Sequence, residues 1–153
     1  MMKVAAGLLV GLTVIVAGCS DRSQTESPKT EASTKALVAQ PERFEQGHVV
    51  TAKDFAGDGV TLKIHPNPFR SCDFPKGGAV VTIEYDARPA GIKHTQAWFE
   101  QANGKQVLWG QAPAYMPPNQ TGNWVHEGMK LLLVDVDTRQ LIAVRTVHAA
   151  ACQ

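Results

Sequence analysis

Three cysteines are the residues of this chain with the widest range of possible chemistry. A thiol can be acylated, can form a disulfide, can bind a metal and, once deprotonated, can act as a nucleophile. Cys19 directly follows an apolar run, whereas Cys72 and Cys152 lie far apart in the rest of the sequence. No CxxC or HxxxH spacing, which is typical of metal sites, accompanies Cys72 or Cys152. The sequence therefore predicts no metal site.

The histidines carry no local catalytic pattern, because none of them is four residues from another. They are His48, His65, His94, His126 and His148. The chain contains no GxSxG, HExxH or P-loop motif. Asp135 and Asp137 lack the glycine and the glutamate of an EF-hand loop and are better explained as turn residues. We expect no enzyme activity and no cofactor.

The first 18 residues have the features of an export signal. Lys3 supplies a positive charge, and residues 4–18 are apolar or small apart from Thr13. This run of about 15 residues is shorter than the ~20 that a membrane-spanning helix needs. A charged start, a short apolar run and a small-residue end predict a cleaved signal peptide.

The boundary Val16-Ala17-Gly18-Cys19 resembles the lipobox of bacterial lipoproteins. The resemblance implies cleavage before Cys19 and lipidation of Cys19, with three acyl chains that hold the protein on the lipid bilayer. Two or more chains anchor a protein stably, whereas one binds only marginally. Ser20 stands where aspartate would mark inner-membrane retention, so the resemblance implies a lipid anchor in the outer membrane, facing the periplasm.

Residues 19–46 are predicted to form a flexible linker after the lipidated cysteine. Residues 20–35 are rich in Ser, Thr, Glu and Lys and contain no aromatic residue, so they bury too little apolar surface to order themselves. Removing Lys3 with the signal leaves 14 basic and 14 acidic residues. No basic stripe remains, and we therefore expect no nucleic-acid partner.

Residues 47–153 are predicted to form one all-β domain. Alternating apolar residues separated by turn signals indicate short strands, and Asn103-Gly104 is a strong hairpin signal. Seven strands are expected, near 60–65, 79–85, 93–101, 105–110, 122–126, 129–135 and 140–148. Seven strands in a domain of this size favour a single immunoglobulin-like or fibronectin-like sandwich, with a small closed barrel as the alternative.

A disulfide between Cys72 and Cys152 is expected on two grounds. An even pair of cysteines in an exported chain is oxidised by default. In a seven-strand sandwich, the loop after the first strand and the end of the last strand also lie at the same end. Closing a loop of this length stabilises a fold by roughly 4 kcal/mol in the chain-entropy model.

Four residues are candidates for contact with a partner. Trp98 and Trp109 flank the Asn-Gly hairpin, where they either pack in the core or form an aromatic surface for a sugar or a partner. If Ala97 and Phe99 face the core, strand alternation points Trp98 the other way. Tyr115 and Met116 lie in a predicted loop, 111–122, which is rich in proline and has no charge.

The sequence thus favours a membrane-anchored, non-enzymatic accessory protein that binds an envelope protein, with the 111–122 loop as its contact surface. Stiff loops lose less entropy on binding, and Tyr is favoured at interfaces. One alternative is an inhibitor or immunity protein against an envelope-targeting toxin or phage. Another, of a different class, is an enzyme that acts on peptidoglycan or other glycans.

Overall fold

The computed structural model describes residues 42–74 and 77–152, and this part of the chain is all-β, as predicted. The signal peptide, Cys19 and residues 20–41 of the predicted linker lie outside the described residues. Two 3₁₀ turns, Ser71–Asp73 and Arg88–Ala90, interrupt the strands. Within the described ranges, no helix has the length and apolarity to cross a bilayer. The strands are β1 (Phe55–Ala56), β2 (Thr61–His65), β3 (Phe69–Arg70), β4 (Thr82–Asp86), β5 (His94–Glu100), β6 (Gln106–Pro113), β7 (Tyr115–Gln120), β8 (Lys130–Asp135), β9 (Leu141–Thr146) and β10 (Ala149–Ala150).

Two antiparallel sheets form the sandwich. One has the strand order β1-β9-β8-β5-β6, the other has the order β2-β4-β7, and β3 pairs with β10 in a small parallel ladder. The fourth long strand, β6, pairs with β5 and so belongs to the larger sheet. In the constant-type immunoglobulin arrangement the fourth strand belongs to the sheet of the first two. The predicted sandwich is therefore present, with its fourth strand in the opposite sheet.

The core between the sheets follows from strand alternation. Leu62, Ile83 and Tyr85 project from the smaller sheet toward Phe99 and Leu131 of the larger one, and all are almost fully buried. Burying one such side chain contributes about 1.5–3 kcal/mol. The Tyr85 hydroxyl accepts a 2.9 Å hydrogen bond from the hydroxyl of Thr95, which satisfies a polar group inside this core. Burial raises the pKa of Tyr85, because the charged phenolate would be poorly solvated there.

The outer face of the larger sheet is also buried, because residues 42–56 fold over it as an arm. Phe44 and Val50 of this arm pack with Trp98, Leu132 and Val144 of the sheet. The ring of Phe44 lies 5.2 Å from that of Trp98, and Phe44 is 2% exposed. The sequence assigns Phe44 to the flexible linker, but the packed part of the chain begins before residue 47. β8 is consequently buried on both faces.

A buried carboxylate fastens the arm to the sheet. Glu100, 3% exposed, accepts hydrogen bonds from the backbone N–H of Val50 (2.8 Å) and from Nε2 of Gln106 (2.9 Å). The ammonium group of Lys130 lies 3.7 Å from its other oxygen and also donates to the carbonyl of Val50. Paired in this way, the charge is tolerated in the interior.

The arm and the turns define the two ends of the sandwich. At the entry end, Glu42 and Phe44 form backbone hydrogen bonds with Leu141 and Arg139 beside the β8–β9 turn. The hairpin end carries the β5–β6 turn, 101–105, where Gly104 has a φ of +81° as the Asn-Gly signal predicts. Residues 121–128 lie at this same end, because they lead into β8, whose first residue, Lys130, pairs with Glu100 beside the β5–β6 turn.

The prediction of a loop at 111–122 is wrong for most of that segment. β6 continues to Pro113, and β7 pairs with β4 over Tyr115–Gln120. The register shift leaves Glu84 opposite both Pro117 and Pro118, which is a β-bulge. β7 is an edge strand, where a missing N–H is tolerated. The predicted strand at 122–126 is a turn with one bridge, between Val125 and Ala79.

The structure joins Cys72 and Cys152 in the predicted disulfide. Their Cα atoms are 5.9 Å apart, and the two residues are separated by 80 positions in sequence. The adjoining ladder places Phe69 beside Ala149 and Arg70 beside Ala150. The bond therefore closes the last strand onto the segment that follows β2, at the hairpin end.

Candidate functional site

The predicted aromatic surface of Trp98 and Trp109 does not form. Trp98 points away from Phe99, as alternation requires, but the arm covers it and leaves 6% of it exposed. Trp109 packs on the opposite face of the sheet, against the core between the sheets. The two indoles are thus separated by the sheet itself.

Tyr115 and Met116 also lie on different surfaces, because they are neighbours on a strand. Tyr115 is 41% exposed on the outer face of the smaller sheet, where the guanidinium of Arg88 stands 4.2 Å from its ring centroid. Arg88 donates to both carboxylate oxygens of Asp86, at 2.9 and 2.7 Å, and these bonds hold the pKa of Asp86 below its usual range. Met116 is half-buried and packs against the core. These two residues therefore form no common contact loop.

A β-bulge directs Trp109 toward the inner side of the larger sheet. Ala97 pairs with Gly110 and Trp98 pairs with Leu108, so Trp109 is the extra residue on β6. Bulges re-aim side chains in this way. The indole therefore lies at the open side of the sandwich, between the edge strands β6 and β7.

Trp109 and Trp124 form the walls of a cleft at the hairpin end. Both indoles stand edge-to-face against Phe99. The centroid of the Phe99 ring lies 6.1 Å from that of Trp109 and 4.7 Å from that of Trp124. Met129 is buried at 4% exposure and completes the base, while Gln101 is among the polar residues of the rim. The cleft has a volume of about 380 Å³, which is within the range of small-molecule sites.

Trp124 is held in position although 38% of it is exposed. A Cβ atom at Gly122 would lie 2.8 Å from Cδ1 of the indole, so only glycine leaves room for the ring there. A Cβ atom at Gly78 would lie 2.5 Å from the backbone of Trp124 and Val125, which shows how tightly the segment is packed. Sequence reasoning placed Trp124 on a strand and missed this role. Gly122, two residues earlier, was the available signal.

A second depression, of about 350 Å³, shares Trp109 with the cleft. It runs between β6 and β7, and its polar residues are Gln111, Asn119 and Gln120, with Met116 among the apolar ones. We call the cleft and this depression together the edge groove. Of the four residues predicted to contact a partner, the structure brings only Trp109 and Met116 together, and it does so here.

The edge groove is lined without any Asp, Glu, Lys or Arg side chain. Its polar side chains include the amides of Gln101, Asn119 and Gln120, together with His126. The amide of Gln111 instead accepts a 3.2 Å hydrogen bond from Gln96 on the outer face of the larger sheet. A third depression adjoins the cleft at the hairpin end and brings Asn103 and Glu127 close to His126. Across 42–74 and 77–152, no three His, Cys, Asp or Glu side chains cluster closely enough to hold a metal ion. The chemistry offered by the groove is stacking and hydrogen bonding.

The chain matches no family model, and neither the curated proteins nor the solved structures include one with significant similarity to it. Function must therefore be argued from the site alone.

Proposed function

We propose that this protein is a lipid-anchored lipoprotein of the bacterial envelope that binds a partner non-enzymatically through the edge groove. The anchor rests on the lipobox at Cys19, and the outer membrane is the location that Ser20 favours. The observation that carries the binding proposal is the pair of indoles in the cleft: Trp109 is half-buried, Trp124 is 38% exposed, and both stand edge-to-face against the buried ring of Phe99. Exposed aromatic residues in a concave site are the usual anchors of recognition.

The placement of the groove supports this assignment. Glu42, where the preceding chain joins the domain, is at the entry end, and the cleft is at the hairpin end. A domain attached through its N-terminal chain therefore presents the cleft on the side away from its point of attachment. This arrangement leaves the groove accessible while the protein is anchored.

Cell fractionation tests the anchor. The parent is expected in the membrane fraction with an acylated N-terminal peptide, and Cys19→Ala is expected to leave that fraction. If Cys19→Ala still sediments with membranes and the parent peptide has no acyl mass, the anchor proposal is wrong.

Crosslinking in intact envelopes tests the groove. The lipidated parent is compared with Trp124→Ala and with the matched control Tyr115→Ala, which removes an exposed aromatic residue outside the groove. We expect the crosslinked component to be lost with Trp124→Ala and kept with Tyr115→Ala, while both variants still unfold cooperatively. Capture that survives Trp124→Ala would contradict the assignment.

A further inference from the structure

We propose that the ligand of the edge groove is an uncharged saccharide chain. This inference rests on the proposed binding function and adds the chemical class of the ligand. It is carried by the aromatic walls, the amide groups and the absence of charge along two depressions that share Trp109.

The aromatic walls match one face of a sugar ring. A pyranose has a flat face of C–H groups and a rim of hydroxyl groups, so it packs its apolar face on an indole while its rim remains polar. Trp109 and Trp124 provide two such indoles around Phe99, in a cleft wide enough for a small ligand. A purely apolar ligand such as an acyl chain would form no hydrogen bonds with the neighbouring amides.

The amides match the rim of the sugar. A carboxamide side chain both donates and accepts hydrogen bonds, and so does a hydroxyl group. Gln101 lies on one side of Trp109, and Asn119 and Gln120 lie on the other. A hydroxyl-bearing ligand therefore finds polar partners on both sides of the aromatic centre.

The length of the groove indicates a chain of sugars. The cleft and the second depression have volumes of about 380 and 350 Å³ and share the indole of Trp109. A ligand that fills both must cross this indole, which a chain of linked rings can do.

The charge distribution selects a neutral ligand. Charged groups make up 19% of the residues of the chain, yet none lines the edge groove. An anionic polysaccharide or an acidic peptide would lose hydration there without gaining an ion pair, and Glu127 of the adjoining third depression would repel it.

Calorimetric titration of the whole protein tests the inference. The probes are the tetramer of β-1,4-linked N-acetylglucosamine and maltotetraose, with tetragalacturonate as the anionic comparison. We expect at least one neutral tetramer to bind more tightly than its monomer, and tetragalacturonate not to bind. The affinity for the neutral tetramer should change less than about twofold between roughly 0.1 and 1 M salt, although the Debye screening length falls from about 10 to 3 Å over that range.

Three variants separate the groove from the fold. Trp124→Ala is expected to weaken binding of the neutral tetramer at least about tenfold, as loss of a central aromatic anchor does. Gly122→Ala keeps the indole but displaces it through the new Cβ atom, and we expect a similar loss. Tyr115→Ala should bind like the parent. Melting curves identify any variant that fails to fold.

Failure of the saccharide assignment can be distinguished from failure of the binding function itself. If no neutral saccharide probe binds, or if binding survives Trp124→Ala and Gly122→Ala in folded protein, the saccharide assignment is wrong. The binding function still stands if envelope capture depends on Trp124 in the same preparation. If neither saccharide binding nor Trp124-dependent capture occurs, both proposals are wrong.

Discussion

Replacing Phe44 by alanine removes the ring that seals the arm onto the outer face of the larger sheet. The side chain is 2% exposed, and its ring lies 5.2 Å from that of Trp98 at an interplanar angle of 42°. Its transfer from water contributes about 2–3 kcal/mol, and the aromatic pair adds about 1 kcal/mol. The cavity left over Trp98 raises the cost further. We therefore expect Phe44→Ala to lower the free energy of unfolding by about 3–5 kcal/mol, as is usual for a buried phenylalanine.

Thermal and urea unfolding of the domain measure this loss. At about 4 °C per kcal/mol for a domain of this size, the melting temperature should fall by roughly 12–20 °C. Emission from Trp98 should also shift to longer wavelength in the folded variant, because water reaches the indole. Val49→Ala is the matched control, since Val49 is in the same arm and is 57% exposed. Its effect should stay within about 0.5 kcal/mol.

The result that would refute this reasoning is a loss below about 1 kcal/mol for Phe44→Ala. The arm would then not belong to the cooperative fold, and the larger sheet would be stable with an open outer face. A loss of equal size in Val49→Ala would refute it in another way, because the effect would not depend on the buried ring.

Three further substitutions test other parts of the structure. Glu100→Ala should cost about 1–3 kcal/mol in urea unfolding, since it removes the acceptor of the buried Val50 N–H and the carboxylate beside the partly buried ammonium group of Lys130; a neutral effect would contradict the role of Glu100 in fastening the arm. Cys72→Ser or Cys152→Ser should lower the free energy of unfolding by about 4 kcal/mol, because the unfolded chain gains loop entropy. If the two thiols were free, reduction of the parent would leave its stability unchanged. Because the fold lowers the pKa of Asp86, its ionised carboxylate stabilises the folded domain above about pH 4, and this stabilisation is lost as the pH falls through the lowered pKa. Asp86→Asn should reduce this loss of stability at low pH. An unchanged dependence of stability on pH would count against the ion pair with Arg88.

The sequence identified the strands that have strong alternation and failed where proline obscured the pattern. β2, β4, β5, β6, β8 and β9 all fall at predicted positions, because apolar periodicity and the Asn-Gly turn survive in any sandwich. β7 was predicted to be a loop since Pro117 and Pro118 cannot donate to a ladder. The prediction overlooked that an edge strand needs only one side of its backbone, and that a bulge at Glu84 absorbs the extra residue.

The site was less accessible to sequence reasoning, because it depends on what covers each face. Alternation placed Trp98 correctly on the side opposite Phe99, but only the tertiary fold brings Phe44 onto it. Trp109 reaches the groove through a bulge, and a bulge has no reliable local signature. Trp124 becomes an anchor because Gly122 makes room for its ring, which is a contact between residues too close in sequence to appear in strand patterns.

The course of the arm also determines how the domain responds to force. From Glu42 to Val50 the arm runs lengthwise from the entry end toward Glu100, so a pull on the preceding chain acts along this segment. The force then acts in shear on the packing of Phe44 and on the hydrogen bond to Glu100 at the same time, so these contacts do not break one after the other. Survival under tension is governed by the rate of unfolding. With the edge groove at the opposite end, tension between an attachment and a bound ligand would pass along the strands of the sandwich.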